Sequence, residues 1–360
     1  MLTWPLARLR AVPSLISPRE EVMASRPIIL SLTSMAESGL ARLREAGELR
    51  MASSLEPSVL HREIAEADAL VIRTAGTIDA ALMDCGKNLR VIGRHGVGYD
   101  QVDISAATER GILVVYTPGA NTQGVAEHVF AMMIGVSKCF PGQMKALVEG
   151  RYNERTKLVG RDIAGKTLGI IGFGRIGKRV GAIAHAGFGM KVLYSDVIDI
   201  PREAEERAGA TRVGLDELLA ASDYITLHVP LDASTRRMIG REALAKIKPG
   251  AVLLNTCRGP VTDEDAVLEA LESKQLFGYA ADVFTVEPPP PGHPLIGRAD
   301  LNIMLTPHSA AQSTESLRNM ANEVAEDVVG VLQGRPPVNP VNDPAKVAAV
   351  RLRLGKLPLG

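Results

Sequence analysis

The sequence lacks the features that mark several classes of protein. Its 360 residues include only three cysteines, Cys85, Cys139 and Cys257, whose wide spacing matches neither a disulfide framework nor a cysteine metal site. Basic and acidic residues balance at 41 each, so no net field would attract nucleic acid or an anionic membrane. No apolar run approaches the roughly 20 residues of a membrane-spanning helix. We therefore expect a cytoplasmic protein with no metal, no nucleic-acid partner and no membrane partner.

The chain is long enough for about two domains, each with its own hydrophobic core. Residues 1–25 stand apart, because three prolines interrupt them and no periodic pattern develops. They carry arginines but no acid before Glu20, as transit peptides do, while their apolar stretch is too short for a secretory signal. We expect this segment to be extended or disordered, with Met23 opening the folded protein.

A regular alternation of apolar runs and amphipathic segments begins at Pro27. Strands that alternate with helices are typical of a parallel sheet with right-handed crossovers. In the first unit we expect strands at residues 28–32, 69–73, 89–95 and 113–116, and helices at 35–50, from 79 onward and at 103–110. A long apolar helix should follow over about residues 122–138, with Asn121 or Thr122 as its cap.

A glycine-rich segment lies near the middle of the chain. Leu168–Ile171 is an apolar run typical of a buried parallel strand, and it leads directly into Gly172-x-Gly174-x-x-Gly177 and then into helical spacing. In such a unit the first glycine permits a tight turn, the second lets the backbone approach a pyrophosphate, and the third lets helix and strand pack closely. The phosphates would bind to the free N–H groups at the helix N-terminus.

A second strand at residues 191–195 ends on Asp196. The acid stands close to the spacing of about 20 residues expected for a carboxylate that binds a ribose 2′-hydroxyl. Val197 and Ile198 beside it supply no cation to offset the repulsion of a 2′-phosphate. We therefore predict that the cofactor is NAD rather than NADP. The alternative is a structural strand–helix–strand turn that binds nothing.

The alternation continues to the end of a second unit. We expect further strands at residues 224–228, 251–255, 278–281 and 302–305, and helices at 215–221, 241–247 and 264–272, so that six strands lie between residues 168 and 305. A last helix should cover residues 314–333. Open parallel sheets bind ligands at the carboxyl ends of their strands. The predicted active site is therefore the cleft between the two units.

Three successive strand ends of the second unit carry residues able to do chemistry. Arg258 follows the strand at 251–255, Asp282 and Glu287 follow the next, and His308 follows the last. Each alone has an ordinary explanation, as a surface charge, a helix cap or a loop residue. Together at one sheet edge they supply an imidazole for proton transfer, a carboxylate to orient it and a cation for an anionic substrate.

At these residues the sequence resembles the NAD-dependent D-isomer-specific 2-hydroxyacid dehydrogenases, and in particular the D-3-phosphoglycerate dehydrogenase group. The resemblance covers about residues 28–338. Seven ordered segments carry it, at residues 93–100, 121–127, 168–177, 228–231, 255–259, 282–288 and 306–310.

The resemblance implies a role for each matching residue. Arg258 would bind the substrate carboxylate and polarise the carbonyl, His308 would be the acid/base, and Glu287 would pair with His308. The residues expected to bind substrate are Arg73, Gly96, Val97, Gly98 and Arg258. The residues expected to bind the cofactor are Gly172, Gly174, Arg175, Ile176, Gly177, Asp196, His228, Pro230, Thr235, Thr256 and Asp282.

The resemblance also implies a domain arrangement. A flavodoxin-like substrate domain would be split into residues 26–123 and 310–340, around a Rossmann domain of residues 124–309, with a tail at 341–360 left unassigned. The helix at 314–333 would close the substrate domain, and a homodimer would be built around residues 126–151. Because the chain ends within about 25 residues of Pro336, we expect no regulatory extension of the kind that many phosphoglycerate dehydrogenases carry.

Together these inferences predict reversible hydride transfer between NAD(H) and a small anionic 2-hydroxy or 2-oxo acid. One alternative is a glyoxylate or hydroxypyruvate reductase. Arg73 favours a larger anionic substrate, although a solvated arginine is an equally good account of it. An alternative from another class is an NAD-sensing, corepressor-like interaction protein, which the balanced charge and the lack of low-complexity arms argue against.

Overall fold

The computed structural model describes residues 26–74 and 76–356, so the predicted extended segment at 1–25 lies outside the described residues. The strands are β1 (Ile28–Ser31), β2 (Glu48–Met51), β3 (Ala69–Ile72), β4 (Val91–Arg94), β5 (Leu113–Val115), β6 (Thr167–Ile171), β7 (Lys191–Ser195), β8 (Ala210–Arg212), β9 (Tyr224–Leu227), β10 (Ala251–Asn255), β11 (Leu276–Ala281) and β12 (Ile303–Leu305). The α-helices are α1 (Glu37–Ala46), α2 (Pro57–Glu63), α3 (Ala80–Cys85), α4 (Ile104–Glu109), α5 (Thr122–Ser137), α6 (Phe140–Val148), α7 (Arg175–Phe188), α8 (Arg202–Ala208), α9 (Leu215–Ala221), α10 (Arg241–Lys246), α11 (Glu264–Glu272), α12 (Thr314–Leu332) and α13 (Pro344–Arg353).

These strands form two sheets in which the named strands pair only in parallel. The first sheet has the order β2-β1-β3-β4-β5, which is that of flavodoxin. The second has the order β12-β11-β10-β9-β6-β7-β8. Numbered from β6, this is the doubly wound order of a dinucleotide-binding sheet with one further strand at the edge. The predicted α/β fold class, a Rossmann sheet beside a flavodoxin-like unit, is confirmed.

The first sheet is covered on both faces. Ile29 and Leu43 pack with Val324 and Val328 on the face that holds α1 and α12. Gly93 in β4 allows this approach, because a Cβ there would lie 2.6 Å from Val328 Cγ2. The opposite face packs against α2, α3 and α4. Helix α12 therefore returns the chain to the first sheet after the second is complete.

The second sheet is also buried on both faces. Helices α5 and α7 lie on one side, where Phe173 stacks on Tyr194 with ring centroids 4.3 Å apart. Helices α9, α10 and α11 cover the other side. Since β9 and β10 are buried along their whole length, their side chains form part of the core. Function is left to the loops at the carboxyl ends of the strands.

Six of these elements were missing from the sequence prediction: β2, α2, α6, α8, β8 and α13. The helix expected over residues 35–50 ends at Ala46, and the edge strand β2 follows. Gly47 separates the two, with extended backbone at φ −159° and a position where a Cβ would lie 2.3 Å from the carbonyl oxygen of Pro27. Helix α6 begins around Pro141, whose missing N–H is no loss in the first turn. Helix α8 and the short edge strand β8 were also not predicted, and β8 gives the second sheet seven strands rather than the expected six.

The stretch after residue 340, which the sequence left unassigned, packs against the first sheet's helices. Helix α13 is capped by Asp343 and buries Val347. Arg351 is 3% exposed and donates from Nη1 to the carbonyl oxygen of Gly111 at 2.8 Å. Asn342 joins the neighbouring strand β5 by accepting from Val114 N at 2.9 Å. Across the described ranges, no helix combines the length and apolarity needed to cross a bilayer.

Candidate active site

The carboxyl ends of β10, β11 and β12 lie side by side in the second sheet. Arg258 follows β10 at the start of a short 3₁₀ turn, Asp282 follows β11 directly, and His308 lies three residues beyond β12. Glu287 lies in the loop after Asp282. The backbone of this loop touches the 3₁₀ turn, because a Cβ at Gly259 would lie 1.9 Å from the carbonyl carbon of Phe284. The structure therefore brings together the three strand ends that the sequence singled out.

His308 and Glu287 form a hydrogen-bonded pair. Nδ1 of His308 lies 2.7 Å from Oε2 of Glu287, while Oε1 accepts from the backbone N–H of Phe284 at 3.0 Å. Burial raises the pKa of Glu287, but the bonds from His308 and Phe284 outweigh burial and leave that pKa below its usual value. The carboxylate stays charged and uses Nδ1, so the opposite ring nitrogen, Nε2, is the one available to a ligand.

Asp282, predicted to bind the cofactor, is fully buried and holds the loop that carries His308. Its Oδ1 accepts from Thr306 Oγ1 at 2.6 Å and Ser309 N at 2.7 Å, and its Oδ2 accepts from Ala310 N at 2.8 Å. Its backbone carbonyl accepts from His308 N at 2.7 Å. These bonds maintain His308 at φ +49°, a left-handed conformation uncommon for histidine. The carboxylate thus fixes the direction in which the imidazole projects.

Arg258 reaches across to the first sheet. Its Nε and Nη2 donate to Oδ2 of Asp100 at 2.9 and 2.8 Å, and its Nη1 donates to the carbonyl oxygen of Cys257 at 2.6 Å. The guanidinium lies over Gly98, where a Cβ would be 1.4 Å from Nη2. A guanidinium has five N–H donors. Three are engaged in these bonds, so two on the outer nitrogens remain for an anionic ligand.

Two further arginines stand beside Arg258 on the first sheet. Arg94, at the end of β4, is 8% exposed and donates to the carbonyl oxygens of Gly98 and His95. Burial, with Arg258 and Arg73 nearby, lowers the pKa of Arg94 to about 10. Burial also lowers the pKa of Arg73. Three guanidinium groups around the backbone of residues 96–98, with Asp100 as a counter-charge, favour an anion at this point.

His95 is buried beneath this cluster. Its side chain is 0% exposed, and burial, together with the charge of Arg73, lowers its pKa to about 4. The imidazole is therefore neutral at physiological pH. Gly96, next along the chain, has φ +144° and accepts from Thr117 N at 3.1 Å, which fixes the loop that carries Val97 and Gly98.

The glycine-rich turn after β6 fits a dinucleotide. Gly172 has φ +90°, and a Cβ there would lie 2.5 Å from the carbonyl oxygen of His228. A Cβ at Gly177 would lie 2.3 Å from the carbonyl oxygen of Gly172, so the helix packs tightly on the strand. At Gly174, by contrast, a Cβ would meet nothing within 4 Å, and this open position is where a pyrophosphate could approach the backbone.

Asp196 directly follows β7 and lies beside this turn. Its Oδ2 accepts from Phe173 N at 2.6 Å and its Oδ1 accepts from Ile198 N at 2.9 Å. The carboxylate therefore connects the glycine-rich turn to the next loop. This is the position at which a Rossmann sheet binds the adenosine ribose.

The other residues predicted to bind the cofactor surround the same edge. Arg175 and Ile176 open α7, and His228 follows β9 with Nε2 3.0 Å from Thr226 Oγ1. Burial lowers the pKa of His228 to about 3, so its ring is neutral. Thr235 Oγ1 donates to the carbonyl oxygen of Pro230 at 2.7 Å and so shapes the loop after β9. Thr256 Oγ1 is buried without a hydrogen-bond partner among the described residues, as a group that awaits a ligand would be.

Sequence reasoning missed Asp100 and Arg94. Both stand in the segment Gly93–Asp100 that carried the resemblance, so their position was visible. Their contacts could not be seen in the sequence, because Asp100 and its partner Arg258 are 158 residues apart in the chain.

Comparison with known proteins gives a consistent assignment. The family model described as D-isomer specific 2-hydroxyacid dehydrogenase, NAD binding domain, matches residues 130–310. D-3-phosphoglycerate dehydrogenase of Archaeoglobus fulgidus is 38% identical over 318 residues, 88% of this chain and 59% of that protein. Glyoxylate reductase of Korarchaeum cryptofilum is 36% identical over 88% of this chain and 96% of its own length. Hydroxypyruvate reductase of Thermotoga maritima is 40% identical over 78% of this chain and 90% of its own length.

Solved structures agree with these relatives. The TT0316 protein of Thermus thermophilus superposes with a TM-score of 0.77 at 37% identity, covering 88% of this chain and 100% of that one. The glyoxylate reductase of Paecilomyes thermophila superposes with a TM-score of 0.80 at 31% identity, covering 88% and 98%. The chain spans only 50% to 60% of the length of the phosphoglycerate dehydrogenases it matches first. With the matched domain and the glycine-rich turn in agreement, the chain belongs to the D-isomer-specific 2-hydroxyacid dehydrogenase family and carries its NAD-binding domain.

Proposed function

We propose that this protein is an NAD-dependent oxidoreductase that interconverts a small anionic D-2-hydroxy acid and the corresponding 2-oxo acid. The observation that carries this proposal is the pairing of His308 with Glu287 beside Arg258, at neighbouring strand ends of the NAD-binding sheet. Bound NAD(H) would supply the hydride chemistry. Gly172, Gly174, Gly177 and Asp196 would hold it, and the protein's own residues bind the acid and handle the proton.

Arg258 would bind and orient the acid. A carboxylate and its adjacent carbonyl present acceptor oxygens close to one plane, which suits the fixed fork of a guanidinium. The two N–H groups that Arg258 keeps free can meet that pair of acceptors. In the neighbouring loop the N–H of Gly96 donates to the carbonyl oxygen of Arg94 at 2.9 Å, so the N–H groups of Val97 and Gly98 would bind the same anion. Arg94 stiffens this loop through its bonds to the carbonyl oxygens of Gly98 and His95.

His308 would transfer the proton. In the reductive direction, the imidazolium donates a proton from Nε2 to the oxygen that becomes the hydroxyl group. In the oxidative direction, the neutral imidazole removes that proton. Glu287 stabilises the charged form and fixes the ring through Nδ1, and Asp282 fixes the loop.

For the substrate, we favour a phosphoglycerate-like acid over glyoxylate or hydroxypyruvate. Arg73 and Arg94 give the site more positive charge than a single carboxylate requires. The relatives named for phosphoglycerate, glyoxylate and hydroxypyruvate are each between 36% and 40% identical to this chain. Identity therefore does not distinguish the three substrates, and the preference rests on the positive charge of the site. A corepressor-like role is less supported, because binding alone does not require the His308–Glu287 pair.

A substrate panel tests the proposal. Purified protein is assayed by NADH absorbance, with D-3-phosphoglycerate in oxidation and with hydroxypyruvate and glyoxylate in reduction. We expect turnover that His308→Asn abolishes and that the control His61→Asn, on helix α2, leaves unchanged. Arg73→Met should lower kcat/KM for phosphoglycerate more than for glyoxylate. Equal loss on all three acids would contradict the phosphoglycerate preference, and turnover that survives His308→Asn would contradict the mechanism.

We also propose that the protein is a cytoplasmic homodimer. Met144, Leu147 and Val148 on α6 are 68%, 66% and 88% exposed, which is unusual for a run of apolar side chains and supports an interface there. All three cysteines are free in the structure, in keeping with a reducing compartment. Light scattering should give twice the chain mass, and Met144→Glu should shift it towards the monomer while Val338→Glu, at another exposed apolar site, does not.

A further inference from the structure

The backbone around Asp196 is arranged to bind a negatively charged group. Two backbone N–H groups converge on its carboxylate, from Phe173 in the glycine-rich turn and from Ile198 in the following loop. Both donors come from loops that lie where the adenosine ribose binds in this fold. The protein therefore supplies its own negative charge to this position.

Arg212 places a positive charge beside this carboxylate, although it lies 16 residues further along the chain. Arg212 lies on the edge strand β8, opposite Tyr194 of β7. Its Nη2 donates to the backbone carbonyl oxygen of Asp196 at 2.8 Å, and its Nη1 donates to Oδ1 of Asp199 at 2.6 Å. Val197 and Ile198 supply no cation, as the sequence shows, but the fold brings Arg212 to Asp196 from the edge strand.

Little holds Arg212 to its present partner. The side chains of Arg212 and Asp199 are 42% and 97% exposed. Ion pairs this exposed change an equilibrium by less than about fivefold. Arg212 can therefore turn towards another anion at small cost, while its bond to the Asp196 carbonyl keeps it close to the ribose position.

We propose that Arg212 is a specificity-determining residue, a cation held beside the ribose pocket whose attraction for a 2′-phosphate is cancelled by Asp196. With the carboxylate gone, Arg212 and the freed N–H groups of Phe173 and Ile198 form a site for the 2′-phosphate of NADP(H). Asp199 competes for the same guanidinium. The preference for NAD thus depends on one carboxylate. This inference rests on the proposed cofactor role of Asp196.

Binding measurements on the purified full chain test it. Affinities for NADH, NADPH, 5′-AMP and 2′-AMP are measured by calorimetry for the wild type, Asp196→Ala and Asp196→Ala/Arg212→Met. The control is Asp196→Ala/Arg202→Met, because Arg202 is an exposed arginine on α8 whose ion pair within residues 26–74 and 76–356 is with Glu206. Asp196→Ser keeps a hydroxyl acceptor and replaces the alanine variant if that variant melts early.

Asp196→Ala should bind NADPH and 2′-AMP more tightly than the wild type does, with an affinity that falls as salt rises. Adding Arg212→Met should then weaken NADPH and 2′-AMP by about 10- to 100-fold, the range of a charge-assisted hydrogen bond, and leave NADH and 5′-AMP within about twofold. Adding Asp199→Asn instead should tighten NADPH further.

Two results would overturn the inference in different ways. In the Asp196→Ala background, Arg212→Met could weaken the affinities for NADH and NADPH equally, or weaken NADPH binding no more than Arg202→Met does. Either result would show that Arg212 only supports the loop and that the specificity role is wrong. If Asp196→Ala leaves the NADH and NADPH affinities of the wild type unchanged, Asp196 does not face the ribose, and the proposed cofactor role of that residue fails as well.

Discussion

Replacing Gly98 by alanine tests how the position of Arg258 affects catalysis without changing the stability of the fold. An alanine Cβ would lie 1.4 Å from Nη2 and 2.6 Å from Cζ of Arg258. Ordinary van der Waals contact begins near 3.4 Å, so the guanidinium must move by about 2 Å. Displacement of a reacting or orienting group by about 1 Å can cost on the order of 10²-fold in rate. We therefore expect kcat/KM for the 2-oxo acid to fall by at least about 10²-fold.

The fold should tolerate this change. Gly98 is not among the glycines with positive φ, so alanine meets no backbone strain. The atom it displaces is the far end of a flexible side chain. We expect the melting temperature to stay within about 1 °C, less than the roughly 1.3 °C by which a change of 1 kcal/mol would shift it in a chain of this length. Affinity for NADH should also be unchanged, because the glycine-rich turn lies elsewhere along the sheet edge.

Steady-state kinetics, calorimetry of NADH binding and thermal melting test these expectations together. Gly119→Ala is the matched control, since a Cβ there meets nothing within 4 Å. In the background of Arg258→Ala, adding Gly98→Ala should have no further effect on kcat/KM, as expected of two changes that act through one group. Near-normal turnover in Gly98→Ala, or an additive loss in the double variant, would refute the reasoning.

Three further outcomes are expected. Arg258→Lys should lower kcat and raise KM for the 2-oxo acid with unchanged NADH affinity, because lysine keeps the charge and loses the fork; weakened NADH binding at normal turnover would contradict this. The pKa of buried His95 is about 4. Below pH 6.5 its imidazole is therefore protonated in the unfolded state but stays neutral in the folded state. Stability should fall by about 2 kcal/mol between pH 7.5 and pH 5, and His95→Gln should remove that loss in urea titrations; equal pH slopes would refute it. Asn342→Ala should cost roughly 2–4 kcal/mol, since it leaves Val114 N and the carbonyl oxygen of Ile112 buried without their partner; a change below about 0.5 kcal/mol in the same titrations would contradict it.

The sequence by itself determined the fold class and the chemistry of the strand ends. Alternating apolar runs and helical segments specify a parallel sheet, and that sheet brings the ends of successive strands to one edge. The glycine-rich turn and the residues Arg258, Glu287 and His308 could therefore be placed along the same edge of one sheet from the sequence alone. Local signals failed where elements were short or exposed, as for β2, β8 and α13, because such elements depend on neighbours rather than on their own periodicity.

The tertiary structure alone decided which charges meet. Asp100 comes from the first sheet and Arg258 from the second, and Arg212 reaches Asp196 from an edge strand that the sequence did not reveal. Asp282, which the sequence predicts to bind the cofactor, holds the His308 loop in the structure, because backbone N–H groups of that loop donate to its carboxylate. Sequence spacing specifies which residues end a strand, but the direction of each side chain follows from packing between segments far apart in the chain.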